Sequence, residues 1–196
     1  ATTSTSSLIL EAQFEIAAAS LVAGLTNVVT LASGGGGQQF GKFPEFGIPD
    51  LHGIGHGDAY GRSSSEDCFV ELRRFHTKLI AALAARLQET PEGSGNMLDN
   101  TFAMHGSASS SFHLSRNYPI ISAGGKNLGF TNGRYLKFGK GNEDNQAGAG
   151  IDTDAGWQGK VEVEELPLAK LFVTILQRLG IKTNSFAGHS GTLSRV

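Results

Sequence analysis

With 196 residues, 39% of them hydrophobic and 17% charged, the chain is long enough to bury a core, and its formal net charge of -2 excludes the basic footprint of nucleic-acid binding. Its one cysteine, Cys68, excludes an internal disulfide, a paired-cysteine zinc or redox motif and covalent haem attachment. No apolar run reaches the roughly 18 residues of a membrane span, and 27 glycines, about twice ordinary usage, point to long irregular loops.

The length suits a single α/β domain over 1–196. Residues 1–6 read as a disordered or processed N-terminus, which suggests export to a periplasmic or extracellular space. Ser7 is placed to cap a helix carrying Leu8, Ile9, Phe14, Ile16, Leu21 and Val22, with Gly24 as its stop. A strand is expected at 27–31, then a long loop over 33–64 containing four consecutive glycines, Pro44 and Pro49. From Ser65 to Gln88, Phe69, Leu72, Phe75, Leu79, Leu83 and Leu87 recur at three- and four-residue steps, the signature of an amphipathic helix. Thr90-Pro-Glu-Gly-Ser-Gly terminates it. Short buried strands are expected at 101–105 and 118–123, joined by a serine-rich link that carries His113. A hairpin is expected over 128–138 around Asn132-Gly133, then a second long loop over 139–160. A last helix starts near Pro167 and stops at Gly180, followed by a polar tail. Helices alternating with short strands give an α/β class, with strands layered against flanking helices.

Several motifs fail on inspection. Gly36 to Lys42 has phosphate-loop spacing, but Phe43 stands where a hydroxyl should reach magnesium, and Pro44 follows where a helix should begin. Gly188-His-Ser-Gly lacks the closing glycine of a nucleophile elbow. The run from Asp152 to Gly156 opens like a calcium loop, yet Val163 occupies the position of the closing carboxylate. On the helix from Ser65 to Gln88, His76 reads as a packed or solvent-facing histidine and not a ligand, and Cys68 as a small apolar residue.

The densest chemistry lies in Asp50-Leu-His-Gly-Ile-Gly-His-Gly-Asp58, two imidazoles and two carboxylates among glycines. Neutral imidazole and carboxylate are the ligands that zinc and similar ions prefer, so His52, His56, Asp50 and Asp58 are candidate ligands. A bound ion needs a further group. His113 is the first candidate to supply it and His105 the second.

The order of these segments resembles the HXXSHH family of exported bacterial proteins of unknown function. His52-Gly-Ile-Gly-His56-Gly lies where that family carries its H-x-x-S-H-H signature. The run from Glu89 to Thr101 is similar to the family's link from a long helix to a buried strand. His113-Leu-Ser-Arg-Asn-Tyr-Pro119, with the Ile-Ile-Ser-Ala-Gly-Gly that follows, resembles its His, Asn-x-Pro and glycine-rich strand. The run from Leu166 to Gly180 resembles its final helix. The resemblance covers most of the chain and implies the C-terminal half of an alkaline-phosphatase-like fold, a partial layered sheet with flanking helices. Enzymes of that superfamily use two metals and a hydroxyl nucleophile to cleave phosphate or sulfate esters, which implies metal-ligand roles for His52, His56 and His113. Gly55 and Gly57 replace the signature's serine and last histidine, Ser109-Ser-Ser111 stands where relatives carry an acid, and the family's nucleophile belongs to the half this chain does not contain.

Two expectations follow. The first is a non-catalytic or degenerate relative acting as a structural or interaction subunit, with an exposed sheet edge covered by another chain or by self-association. The second is a metal-dependent hydrolase of phosphate or sulfate esters, using zinc, iron or manganese, whose nucleophile comes from a missing segment or a partner chain.

Overall fold

A computed structural model of the chain describes residues 6–33, 41–106, 119–136 and 167–196. Most of the glycine run resembling a phosphate loop, the link bearing His113 and the loop over 139–160 lie outside the described residues. The fold is mixed α/β, with helices and small antiparallel two-stranded sheets. The chain divides into two compact units, 1–97 and 98–196.

In the first unit, α1 (Ser6–Val22) packs on α3 (Ser65–Glu89), burying Leu10, Ala17 and Ala18. The expected glycine stop holds. The Gly24 amide donates to Leu21 O at 3.0 Å and Leu25 to Ser20 O at 2.9 Å, the paired bonds of a Schellman ending. Residues 27–31 form no strand. The Thr26 hydroxyl donates to Val28 O at 2.9 Å and accepts from Val28 N, so local turn bonds engage the backbone that a ladder would have used.

The interior of this unit is Phe43, Ile48, Ile54, Cys68 and Leu72, flanked by Phe46, Leu51, Tyr60, Phe69 and Phe75. Part of the expected loop is therefore core. Phe43 and Ile48 exchange backbone hydrogen bonds of 2.8 and 3.0 Å across a 3-10 turn, Pro44–Phe46, which folds both side chains inward. Each such side chain contributes about 1.5–3 kcal/mol on burial. The α3 stripe feeds the same interior through Cys68 and Leu72, and the Cys68 thiol donates to Ala59 O at 3.2 Å. Ser64 caps α3 reciprocally: its hydroxyl accepts from Asp67 N, and the Asp67 carboxylate accepts from Ser64 N at 3.1 Å. After α3, β1 (Pro91–Glu92) and β2 (Gly95–Asn96) form a minimal hairpin.

The second unit opens at the short helix α4 (Met97–Asn100). Strands β3 (Phe102–Gly106) and β4 (Ile120–Gly124) pair antiparallel, from Phe102 opposite Gly124 to Gly106 opposite Ile120. These strands were expected to be buried. Met104 and Ile121 are instead exposed, and among the described residues the two strands pair with no third. The expected hairpin at Asn132-Gly133 also gives way: no strand forms over 128–136, and the Asn132 amide donates to Gly124 O at 2.7 Å, tying this stretch to the end of β4.

Helix α5 (Leu168–Arg178) buries Leu171, Val173 and Thr174, and ends at Gly180 with the same Schellman bonds as α1. The C-terminal stretch expected as a polar tail pairs as β5 (Ser185–Phe186) and β6 (His189–Ser190). It is fastened by Phe172 against Phe186, centroids 5.1 Å apart, and by Leu193 N donating to the Thr174 hydroxyl at 2.8 Å. Phe102 stacks on Phe130 at 4.0 Å, with the Arg178 guanidinium 4.3 Å above the Phe130 ring. One nitrogen of that guanidinium, Nη1, is buried without a hydrogen-bond partner, and burial lowers the Arg178 pKa.

Candidate functional site

The stretch from Asp50 to Asp58 is a one-turn helix, α2 (Leu51–Gly55), and not a loop. Two glycines in five residues make it a poor helix by propensity, so other contacts must hold it. Asp50 caps it, one carboxylate oxygen accepting from His52 N at 2.9 Å and the other from Gly53 N at 3.3 Å. Ile54 enters the core from its buried side, and Leu51 N donates to Gly41 O at 2.7 Å.

On this helix His52 and His56 stand one turn apart, with Nε2 atoms 3.0 Å apart and ring centroids 4.5 Å apart. One nitrogen donates and the other accepts, so the pair shares a proton. With a metal–nitrogen distance of about 2.0–2.1 Å, nitrogens so spaced would subtend about 95° at a shared ion, close to octahedral or square-planar geometry and roughly 15° narrower than tetrahedral. The separation, once the bridging proton has left, matches one edge of a metal's ligand shell. Among the described residues no group of three or more histidine, cysteine, aspartate or glutamate side chains is arranged to hold an ion.

The remaining candidates are placed as follows. Asp50 serves as the α2 cap. Asp58 accepts from the Tyr60 hydroxyl at 3.3 Å, a proton shared with Asp50 O at 3.0 Å. His105 lies on β3, in the other unit, where burial lowers its pKa and favours the neutral ring. His113 lies outside the described residues. Of the two placements open to His76, packed or solvent-facing, the structure gives a packed ring: it meets Phe43 edge-on at 6.0 Å, and Ser33 lies 2.6 Å from its Nε2.

Two residues that sequence reasoning passed over organise the site. Tyr60 adopts φ +48, a left-handed conformation that costs a bulky residue about 1–2 kcal/mol, and its hydroxyl bonds and core packing hold it there. Burial, then the Asp58 charge and hydrogen bond, raise its pKa and keep the phenol protonated as donor. The phenol and the Asp58 carboxylate close over Gly53, where a Cβ would lie 2.1 Å from Tyr60 Oη and 2.3 Å from Asp58 Oδ2. Gly53 is therefore the position at which the segment ending at Tyr60 closes back on α2. Arg62 straps the same segment to α3: Nε and Nη2 donate to Glu71 Oε2 at 3.1 and 2.5 Å, and Nη2 also reaches Phe46 O. No spacing rule signals either residue, since each acts through a fold-dependent contact.

Comparison with protein-family models, curated proteins and solved structures gives no match. No helix of the described residues is long and apolar enough to cross a membrane.

Proposed function

We propose that this chain is a non-catalytic interaction subunit of an exported assembly, a degenerate relative of the alkaline-phosphatase-like HXXSHH family. The observation that carries this reading is the outer face of α1. A helix that packs on one side should be polar on the other. Here the inner stripe of Leu10, Phe14, Ala17 and Leu21 has a counterpart on the opposite side, Ile9, Ala12, Ile16 and Ala19, also at alternating three- and four-residue steps. Leu8, Ile9 and Ile16 are 56, 49 and 66% exposed, and Leu25 and Val28 beyond the helix are exposed as well. Contiguous apolar surface of this kind marks a protein interface.

Light scattering tests it. The protein is expected to exceed its 20.6 kDa chain mass, and Ile9→Glu with Ile16→Glu is expected to return it to a monomer with unchanged helical signal. A native protein that runs as a monodisperse monomer, no less soluble than the double variant, overturns the reading.

A second reading, a metal-dependent phosphate- or sulfate-ester hydrolase completed by another segment or chain, is favoured by the His52–His56 pair alone. Zinc, iron or manganese would polarise the ester and activate the attacking oxygen. Under it, elemental analysis of native protein gives about one or more ions per chain, lost in the His52→Ala, His56→Ala variant and on acidification, because a ligating imidazole must be unprotonated. Metal-free protein without esterase activity removes this reading.

A further inference from the structure

We infer that the outer surface of α3 carries a binding site for a small amphipathic anion, an organic carboxylate or phosphate with one aromatic or short alkyl body. It shares no residue with the His52–His56 pair and is independent of the assembly reading.

A cleft of about 740 Å³ lies between α3 and the Pro44–Phe46 turn, a size that suits a small molecule. Its walls combine an apolar surface with a charge imbalance. The apolar part is Phe46 and Phe75, edge to face with centroids 5.3 Å apart, beside Val70, which is 43% exposed.

The charged part has three cations and two carboxylates. The Asp67 carboxylate is engaged in the α3 cap, accepting from Ser64 N and the Ser64 hydroxyl. Glu71 is engaged by Arg62, which also donates to the carbonyls of Phe46 and Tyr60. Arg74 and Lys78 remain. Among the described residues neither has a carboxylate within ion-pair distance. Both are exposed, four residues apart on one face of α3, an arrangement in which like charges repel and weaken the helix. Arg73, next to them, lies over the Phe69 ring at 5.2 Å.

An anion between Arg74 and Lys78 relieves that repulsion, and the planar guanidinium gives carboxylate or phosphate a two-point contact. The adjoining phenylalanines take the ligand's apolar body. A bare anion leaves them wet, and a neutral apolar molecule leaves the cations unpaired. The recognised chemistry is therefore the combination.

The test is an amide NMR titration of the intact protein with 4-phenylbutyrate, its neutral amide, phenyl phosphate and inorganic phosphate. Saturable shifts are expected at Phe46, Val70, Arg74, Phe75 and Lys78 with the two aromatic anions, and the stronger of them identifies the head group. The neutral amide, inorganic phosphate, and the Arg74→Gln, Lys78→Gln variant with either aromatic anion are each expected to bind about tenfold more weakly or worse, the loss that follows from removing charge-assisted hydrogen bonds or, for inorganic phosphate, from leaving the apolar surface unburied. Val70→Trp, which fills the cleft and leaves both cations in place, is expected to abolish the shifts. Equal binding of the neutral amide, equal binding of inorganic phosphate, shifts unchanged in either variant, or shifts seen only with an acidic peptide overturns the inference.

Discussion

Gly124→Ala is expected to cost the second unit roughly 3 kcal/mol or more, at the high end of what single substitutions do. Two effects add. Gly124 has φ +78, where a side chain costs about 1–2 kcal/mol. A Cβ there would also lie 2.2 Å from Thr101 O, 2.6 Å from Leu98 O and 2.7 Å from Leu98 Cδ1. Two of those atoms are backbone and cannot rotate away. Leu98 O also accepts from Gly125 N at 2.9 Å, and Gly124 O accepts from the Asn132 amide, so a shift strains both fastenings of the sheet end. A two-stranded sheet has little stability to spare. Hydrogen exchange checks the result: protection over 102–106 and 120–124 should fall sharply. Gly133→Ala separates the causes, because Gly133 has φ +76 with nothing within 4 Å of its Cβ position, so only the conformational cost applies. Equal losses at the two positions would show that the contacts of Gly124 do not matter.

What the sequence discloses here depends on how far each segment's structure is decided locally. The α3 stripe repeats over nineteen residues, from Phe69 to Leu87, and Glu66 and Asp67 follow Ser65, so helix and face are readable, while the capping residue is Ser64, one before the serine that signals the start. The stops at Gly24 and Gly180 are readable for the same reason, since a Schellman ending is made within six residues. The failures lie where a distant partner decides. Val28 and Val29 have strand-like side chains but pair with no strand among the described residues, and the Thr26 turn prevails. Asn132-Gly133 is a hairpin signal until the Asn132 amide finds Gly124 O. The reading of α2 fails in the opposite direction: its glycines argue for loop, while core burial of Ile54 and the Asp50 cap make a helix. That difference changes the site. In a loop, His52 and His56 are two ligands at unspecified separation; on a helix their four-residue spacing brings the ring nitrogens to 3.0 Å. Tyr60 and Arg62 acquire their roles only once that helix exists.

Ile54→Ala puts this dependence to a direct test and is expected to lower the stability of the first unit by about 2–5 kcal/mol, the range for deleting a buried aliphatic side chain. Ile54 is 1% exposed, among Phe43, Ile48, Cys68 and Leu72. Its neighbours in the chain, Gly53 and Gly55, together cost α2 about 2 kcal/mol of helix propensity, more than one cap returns. Burial of Ile54 is thus the main term holding α2 against the core, and its loss should free the helix before it unfolds the unit. Two measurements separate the steps. Urea denaturation reports the stability loss, with Ile54→Val expected to cost about 1 kcal/mol. Long-range nitrogen–proton spectra of the imidazoles report the His52–His56 contact, which should be kept in the valine variant and lost in the alanine variant under conditions where α3 remains helical. If the two rings stay coupled in Ile54→Ala while stability falls, the pair is held by its cap and by the Tyr60 closure over Gly53, and the core does not position it. If coupling and stability fall together, the same burial that folds the unit also brings the two imidazoles together.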